Sequence, residues 1–400
     1  MNSAAVPDEW TQVHVQDLIT KKFTGPSPTC EERQIASDDE WGLLKTTAVT
    51  WDGWREEAHK VPPRSYWGQA SIEVHSGDVL VTKAGPRHRV GVVVHVRATR
   101  PHLMVSGKMI GLRPKSSVIL PQVLAGLLST NAVQEFLNTR TTGMAESQTN
   151  FADNTLLAIR LSAPSMREQL RIAETLDAID SQVRAAQLII TKLRSVESGM
   201  VSSLLAPALN ASEVGDPVHL KLSDGWRPGR LGDFCTLQRG FDITQAEQRH
   251  GPYPVISSSG ITSYHDRFMV EGPGVVTGRK GSLGGVYYCE GRFWPHDTSL
   301  WVKDFHGNNP KFIALLLRSL RLAQFDAATS VPTLNRNTIH PLLVAVPTLN
   351  EQRAIVSALE KLASRSAAEE ISLAKLQRIR SGLLNDLLTG RVRVPGGAMS

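Results

Sequence analysis

The chain has 400 residues, with 44 Lys and Arg against 38 Asp and Glu, a formal charge of +6, and 41% hydrophobic residues, which gives room for two to four domains with real cores and excludes a disordered chain. No apolar run reaches the ~18–20 residues of a membrane helix, and the start MNSAAVPDEW lacks the basic and apolar regions of a secretory signal. Cys30, Cys235 and Cys289 form neither a disulfide framework nor a zinc spacing, so a cytoplasmic protein with no membrane partner is expected.

Residues 1–162 read as a strand-rich globule. Ser71–Val96 alternates as strand, turn at Ser76-Gly77-Asp78, strand, Gly85-Pro86 loop and strand, and Val118–Thr139 reads as helical. Residues 163–206 read as one long helix, opened by a capping box of Ser165 and Glu168 and stopped at Pro207. Its apolar positions step by four and three through Ile172, Leu176, Ile179, Val183, Ala186, Ile190 and Leu193, the seam of a coiled coil. Residues 207–346 read as a second strand-rich globule, with strands near Tyr253 and Gly272 and a helix over Pro310–Phe325. Residues 347–390 read as a second long helix, with a capping box of Thr348 and Glu351 and a seam through Ile355, Leu359, Leu362, Leu373, Leu376, Leu383 and Leu387. The polar breaks at Ser366, Glu369 and Arg380 are expected to face solvent. Residues 391–400 are a tail.

The two halves are one pattern written twice. At an offset of 183, residues 163–206 match the later helix without a gap, with 13 of 44 positions identical, among them Pro164/Pro347, Glu168/Glu351, Gln169/Gln352, Lys192/Lys375 and Gly199/Gly382. Around the helices, Trp10, Asp17 and Leu18 match Trp226, Asp233 and Phe234 at an offset of 216, while Ser147 and Asn154 match Ser330 and Asn337 at 183, so the first globule carries 33 extra residues. Each helix would span ~60 Å at 1.5 Å per residue. Exposed seams favour pairing of the two helices with each other. The expected fold class is therefore α+β: two strand-rich globules separated by two long antiparallel helices forming a coiled coil, a pseudo-two-fold tandem repeat.

The charge is spread thinly. The four segments carry +1, 0, +2 and +3 in chain order, so a polyanion surface must be local. Two Gly-bearing basic turns are the candidates: Lys83, Arg87, His88 and Arg89 in the first globule, and Arg279, Lys280 and Ser282 in the second. Such turns can bring Arg or Lys to phosphates or to guanine edges in double-stranded DNA.

Catalytic signatures are missing. NNPKF at Asn308–Phe312 lacks the second proline of an amino-methyltransferase box, and GRKGS at Gly278–Ser282 lacks the spacing of a phosphate-binding loop. The histidines form no metal spacing. His296-Asp297 with Thr298 has no nucleophile motif beside it and reads as a strand-edge polar cluster.

In order and spacing, this layout resembles the specificity subunit of type I restriction-modification systems. The residues that carry the resemblance are Trp10…Asp17-Leu18, Gly225-Trp226…Leu231-Gly232-Asp233, Gly77–Gly85, Thr333-Leu334-Asn335, Pro347–Gln352 and the ending Gly382–Gly390. The resemblance implies a non-catalytic chain with two target recognition domains, each reading half of a bipartite asymmetric DNA site, and a helix pair that sets the spacer. It implies docking to two modification subunits and to restriction subunits, with Glu168, Gln169, Glu351 and Gln352 as the helix contacts. No cofactor is expected on this chain; S-adenosylmethionine, ATP and Mg are expected on the partners. A self-contained methyltransferase and a helical scaffold without DNA function are the competing classes.

Overall fold

The computed structural model describes residues 7, 9–145, 148–214, 225–326 and 331–394; the repeat landmarks Ser147 and Ser330 lie outside the described residues. The chain divides into two compact units, residues 1–186 with 372–400 and residues 187–371. Each therefore combines a globule with the start of one long helix and the end of the other.

The duplication seen in the helices extends to every principal sheet. In the first unit a four-stranded sheet runs in the order Ile19–Phe23, Met109–Pro114, Val79–Thr82, Val93–His95. In the second the order is Thr236–Arg239, Ser299–Asp304, Gly274–Gly278, Val286–Cys289. All neighbours in both sheets are antiparallel. A three-stranded sheet accompanies each, with a central strand (Gly42–Leu44 or Tyr253–Ser257) paired antiparallel on one side and parallel on the other. A two-stranded ribbon closes each globule on itself, joining Thr11–His14 to Arg160–Ala163 and Arg227–Arg230 to Leu343–Val346. The first unit adds a Val49–Thr50/Gly53–Trp54 hairpin and a small sheet of Thr142–Ala145, Gln148–Asn150 and Ala84–Gly85.

The cores repeat as well. Ile172, Ala173 and Leu176 from the start of the first long helix pack with Leu387 and Leu388 from the end of the second under the first globule. Ile355, Val356 and Leu359 pack with Leu205 and Ala208 under the second. Within each unit the helices run antiparallel. Asp180 pairs with Arg380 and Glu168 with Arg393 in the first unit, and Arg194 with Glu370 in the second. The seam positions Ile179, Val183, Ile190 and Leu193 are buried like Ile172 and Leu176, whereas Leu362, Leu373 and Leu376 are half-buried.

Several sequence expectations need correction. The first long helix runs Met166–Val214, straight through Pro207. A proline inside a helix costs about 3 kcal/mol; here Leu205 and Ala208, both fully buried in the second core, hold the backbone helical on either side of it. The second helix, Leu349–Leu388, ends where expected, with Gly390 just beyond at φ +73. The polar breaks in the second seam do not all face solvent: Ser366 is buried, and Arg380 is bonded to Asp180. Ser71–Val96 opens with a 3-10 turn, Ala70–Ile72, instead of a strand, and Val118–Thr139 and Pro310–Phe325 each break into two short helical pieces.

Candidate nucleic-acid interface

The two basic turns occupy the same place in the duplicated fold. Each leaves the third strand of its four-stranded sheet and is held by a returning segment. The Lys83 carbonyl accepts from the Phe151 amide at 3.2 Å, and the Arg279 carbonyl accepts from the Leu334 amide at 2.8 Å. The next residues bridge likewise, Ala84 to Asn150 and Lys280 to Thr333. Gly85 (φ +145) and Gly281 (φ +87) take backbone angles that disfavour a side chain and let each chain reverse.

In the first unit the turn divides its cations into anchored and free. Lys83 Nζ bonds Asp153 Oδ1 at 2.9 Å, and Lys22 bonds the other oxygen at 2.7 Å. Burial pushes the Asp153 carboxyl up, but the two ammonium groups outweigh it and hold it below the usual carboxylate range. Arg89 points inward, its Nη2 donating to the Thr46 and Val49 carbonyls at 2.9 and 3.3 Å. Arg87 and His88, on the 3-10 turn Arg87–Arg89, are exposed, with no side-chain partner among the described residues. Exposed Lys108 joins them, since its carbonyl accepts from the Lys83 amide at 2.9 Å. So Arg87 and His88 remain free to touch a ligand, while Arg89 is a structural residue, contrary to its assignment from sequence.

In the second unit the turn borders a cleft of about 710 Å³ lined by Arg239, Arg279 and Arg336 together with Gln238, Asp242 and Asn335. Arg239 donates to Asp242 at 2.8 Å and to Asp297 at 3.1 Å. Arg279 donates through Nε to the Asp297 carbonyl at 2.8 Å and lies 3.9 Å from its carboxylate. Lys280 and Ser282 are exposed on the turn itself. His296-Asp297 is thus a polar anchor, with His296 Nδ1 bonding Thr298 at 2.9 Å and Asp297 serving the two arginines. Arg239 and Arg336 escaped the sequence reading because they stand alone in strand and helix segments. The 183-residue offset contained a signal for one of them, since it aligns Arg336 with Asp153.

Glu168, Gln169, Glu351 and Gln352 do not form an outward docking surface. Glu168, Gln169 and Gln352 are buried, and all four bond within their own unit. The Ser165 and Thr348 hydroxyls do accept from the Glu168 and Glu351 amides, each at 3.4 Å. The glutamate carboxylates, however, turn to indoles: Trp10 Nε1 donates to Glu168 at 3.0 Å and Trp226 Nε1 to Glu351 at 3.2 Å. Gln169 donates to the Pro164 and Val118 carbonyls and accepts from the Leu120 amide. Gln352 donates to the Pro347 carbonyl and to Asn308 and accepts from the Asn309 amide. These side chains lock each globule onto the start of its long helix. Burial makes Glu168, Gln169 and Gln352 unavailable to a partner, because exposing them would strand buried polar groups, and half-buried Glu351 is occupied by the Trp226 indole.

Among the described residues no cluster of three or more His, Cys, Asp or Glu could hold a metal, and no helix is long and apolar enough to cross a membrane.

Residues 223–378 match the family model for the type I restriction modification DNA specificity domain. The chain is 34% identical over 189 residues to the type I restriction enzyme EcoEI specificity subunit of Escherichia coli, covering 46% of this chain and 32% of that one. It is 20% identical over 349 residues to a putative type I restriction enzyme MjaX specificity subunit of Methanocaldococcus jannaschii, covering 80% and 79%. The match thus spans about a third of the length of the EcoEI relative. In fold, the chain is similar to a type I restriction-modification S subunit from M. genitalium, with TM-score 0.57, 16% identity, and 95% and 96% of the two chains covered. It is similar too to a chain from a structure of type I R-M complex assembly and conformational transition, with TM-score 0.60, 16% identity, and 97% and 100% covered.

Proposed function

We propose, from the premise that residues 223–378 are a type I restriction modification DNA specificity domain and that residues 1–186 repeat its topology, that this chain is the DNA-specificity subunit of a type I restriction-modification complex. Each unit reads one half of a bipartite asymmetric site on double-stranded DNA, and the paired helices set the unspecified spacer. The observation that carries this reading is the basic turn held at the same place in two copies of one sheet topology, beside a cleft with three guanidinium groups in the second. Arg forks match guanine edges bidentately, and Lys can meet either a guanine edge or, as a point charge, a phosphate. The chemistry around the turns differs between the units, two lysines on one aspartate in the first against three arginines with Asp242 and Asp297 in the second, which supports two unlike half-sites.

The partners are two modification subunits and, with them, restriction subunits; methyl transfer, with S-adenosylmethionine, and ATP- and Mg-dependent steps belong to those partners, and this chain supplies recognition. A docking surface is supported by outward positions that repeat at the 183-residue offset. Leu188 and Ile371 are exposed, as are Val196 and Ile379 eight residues on. Lys192 and Lys375 lie between them, exposed and without a carboxylate partner among the described residues. Gly199 and Gly382 follow, each with nothing within 4 Å of an added Cβ. A glycine inside a helix costs about 1 kcal/mol against alanine, and nothing among the described residues requires either one. Close approach of a partner backbone does, with carboxylates opposite the lysines.

Selection of the co-purified complex on a random duplex library tests the reading. An asymmetric two-part motif is expected, with Arg279→Ala relaxing one half and Arg87→Ala the other. Equal weakening on every duplex would make both residues phosphate contacts. A competing self-contained methyltransferase predicts methyl transfer by the purified chain alone with labelled S-adenosylmethionine.

A further inference from the structure

Each unit sets one aspartate against its turn cation and a cation of the edge strand, with different residues and different acceptor atoms. In the first unit a single carboxylate, Asp153, binds Lys83 of the turn and Lys22 of the Ile19–Phe23 strand. In the second, the Asp297 carboxylate binds Arg239 of the Thr236–Arg239 strand at 3.1 Å, while Arg279 of the turn donates through Nε to the Asp297 backbone carbonyl at 2.8 Å and lies 3.9 Å from the carboxylate. The two strands occupy the same edge of the two four-stranded sheets, and Lys83 and Arg279 receive the same backbone bond from the returning segment. The carboxylates, by contrast, do not correspond. The position matching Asp153 is Arg336, and Asp297 enters from the segment just before the Ser299–Asp304 strand. Duplication of the chain therefore accounts for the turn cation alone: in sheet register Lys22 corresponds to Leu237 and Arg239 to Thr24, so neither the strand cation nor the acid that joins the pair is inherited. A shared task accounts for both.

Chemistry identifies the task. A carboxylate beside two cations in a nucleic-acid cleft repels every phosphate equally, so it lowers affinity for all sequences alike. It also fixes the cations in one geometry, so less freedom is lost when they meet the correct base edges and more is required to meet wrong ones. In the second unit the tethers use Nε of Arg279 and one Nη of Arg239, leaving the remaining donors directed by the anchor.

We infer that Asp153 and Asp297 are positioning residues for sequence discrimination, each restraining one pair of DNA-facing cations and exchanging general affinity for selectivity in its own half-site. This rests on the DNA-reading function proposed above.

The test uses the full chain co-purified with its modification subunits, measured against three duplexes: the selected site, the same site with its first half randomised, and the same site with its second half randomised. Asp297→Asn keeps the side-chain shape and removes the charge. It should tighten binding to all three duplexes several-fold, steepen the salt dependence, and cut discrimination in one half by roughly tenfold, within the range of one base contact. Asp153→Asn should do the same for the other half only. Asp297→Glu, which restores the charge, should recover most of the discrimination, and retained wild-type melting of the variants separates the effect from misfolding. Uniformly weaker binding with unchanged discrimination, or loss in both halves from one substitution, would overturn the inference. If the wild-type complex itself bound all three duplexes alike, the DNA-reading function would fail, and that result is distinct from either variant outcome.

Discussion

Arg87 and Arg89 are two positions apart on one turn, and their roles separate completely. Arg87 is exposed and unpartnered among the described residues, while Arg89 reaches two backbone carbonyls and buries its Nε. Arg89→Ala should therefore destabilise the first unit by about 1–3 kcal/mol, as expected when buried carbonyls lose a charged donor, and lower its melting temperature. Arg87→Ala should leave melting unchanged and alter only DNA selection. Sequence composition made both arginines visible and could not tell them apart, because the carbonyls of Thr46 and Val49 lie about forty residues away in the chain. His95 shows the same limit. Burial, with the nearby Arg97 guanidinium, pushes its imidazole from 6.5 down to about 4. The native imidazole stays neutral where the unfolded one takes up a proton, so its stability contribution is present above pH 6.5 and is lost as pH falls towards 4. Thermal melts of His95→Leu between pH 7 and 4.5 should show a shallower loss of first-unit stability than the wild type. An identical slope would remove His95 from the acid response.

At the scale of elements, the helix starts are the best example of correct location and wrong role. The spacing of Ser165 to Glu168 and Thr348 to Glu351 correctly marks two helix N-termini, and the hydroxyl halves of both capping boxes form. The acids, however, accept hydrogen bonds from the indole N–H groups of Trp10 and Trp226, more than a hundred residues upstream. Trp226→Phe keeps the ring buried and removes one charge-assisted bond. It should cost about 1.5–3 kcal/mol in the second unit, read as an earlier melting transition, and Glu351→Gln should cost less because an acceptor remains. Pro207 fails as a stop signal for the opposite reason: a strong local preference yields to the burial of Leu205 and Ala208 around it. The paired glycines carry the docking prediction. Gly199→Leu and Gly382→Leu should each fold normally, since space is open above both, yet each should reduce the bound modification subunits from two to one in a mass measurement of the complex. Retention of two by both variants would exclude this face as the docking surface.

The repeat was the most legible feature of the whole molecule. An ungapped offset of 183 located both helices, and their exposed seams led to the antiparallel pairing seen within each unit; the cores beneath the globules came only from the structure. The sheet orders were not legible, because their strands are short and pair across long separations; the charge inversion between Asp153 and Arg336 stood in the alignment, but its partners did not, since Lys83 and Lys22 lie 70 and 131 residues from Asp153. The +6 net charge turned out to be uninformative: what matters is which cations are held by carboxylates and which are free. The central claim is that one chain holds two independent readers joined by paired helices. Mapping methylated adenines in cells that express the chain with its modification subunits tests it most directly, using the wild type and a variant with one heptad inserted at repeat-equivalent positions in both helices, which preserves seam phase. The account predicts an asymmetric two-part motif with a fixed gap, and for the insertion variant the same two halves across a longer gap. A single contiguous motif, or altered halves across an unchanged gap, would contradict it.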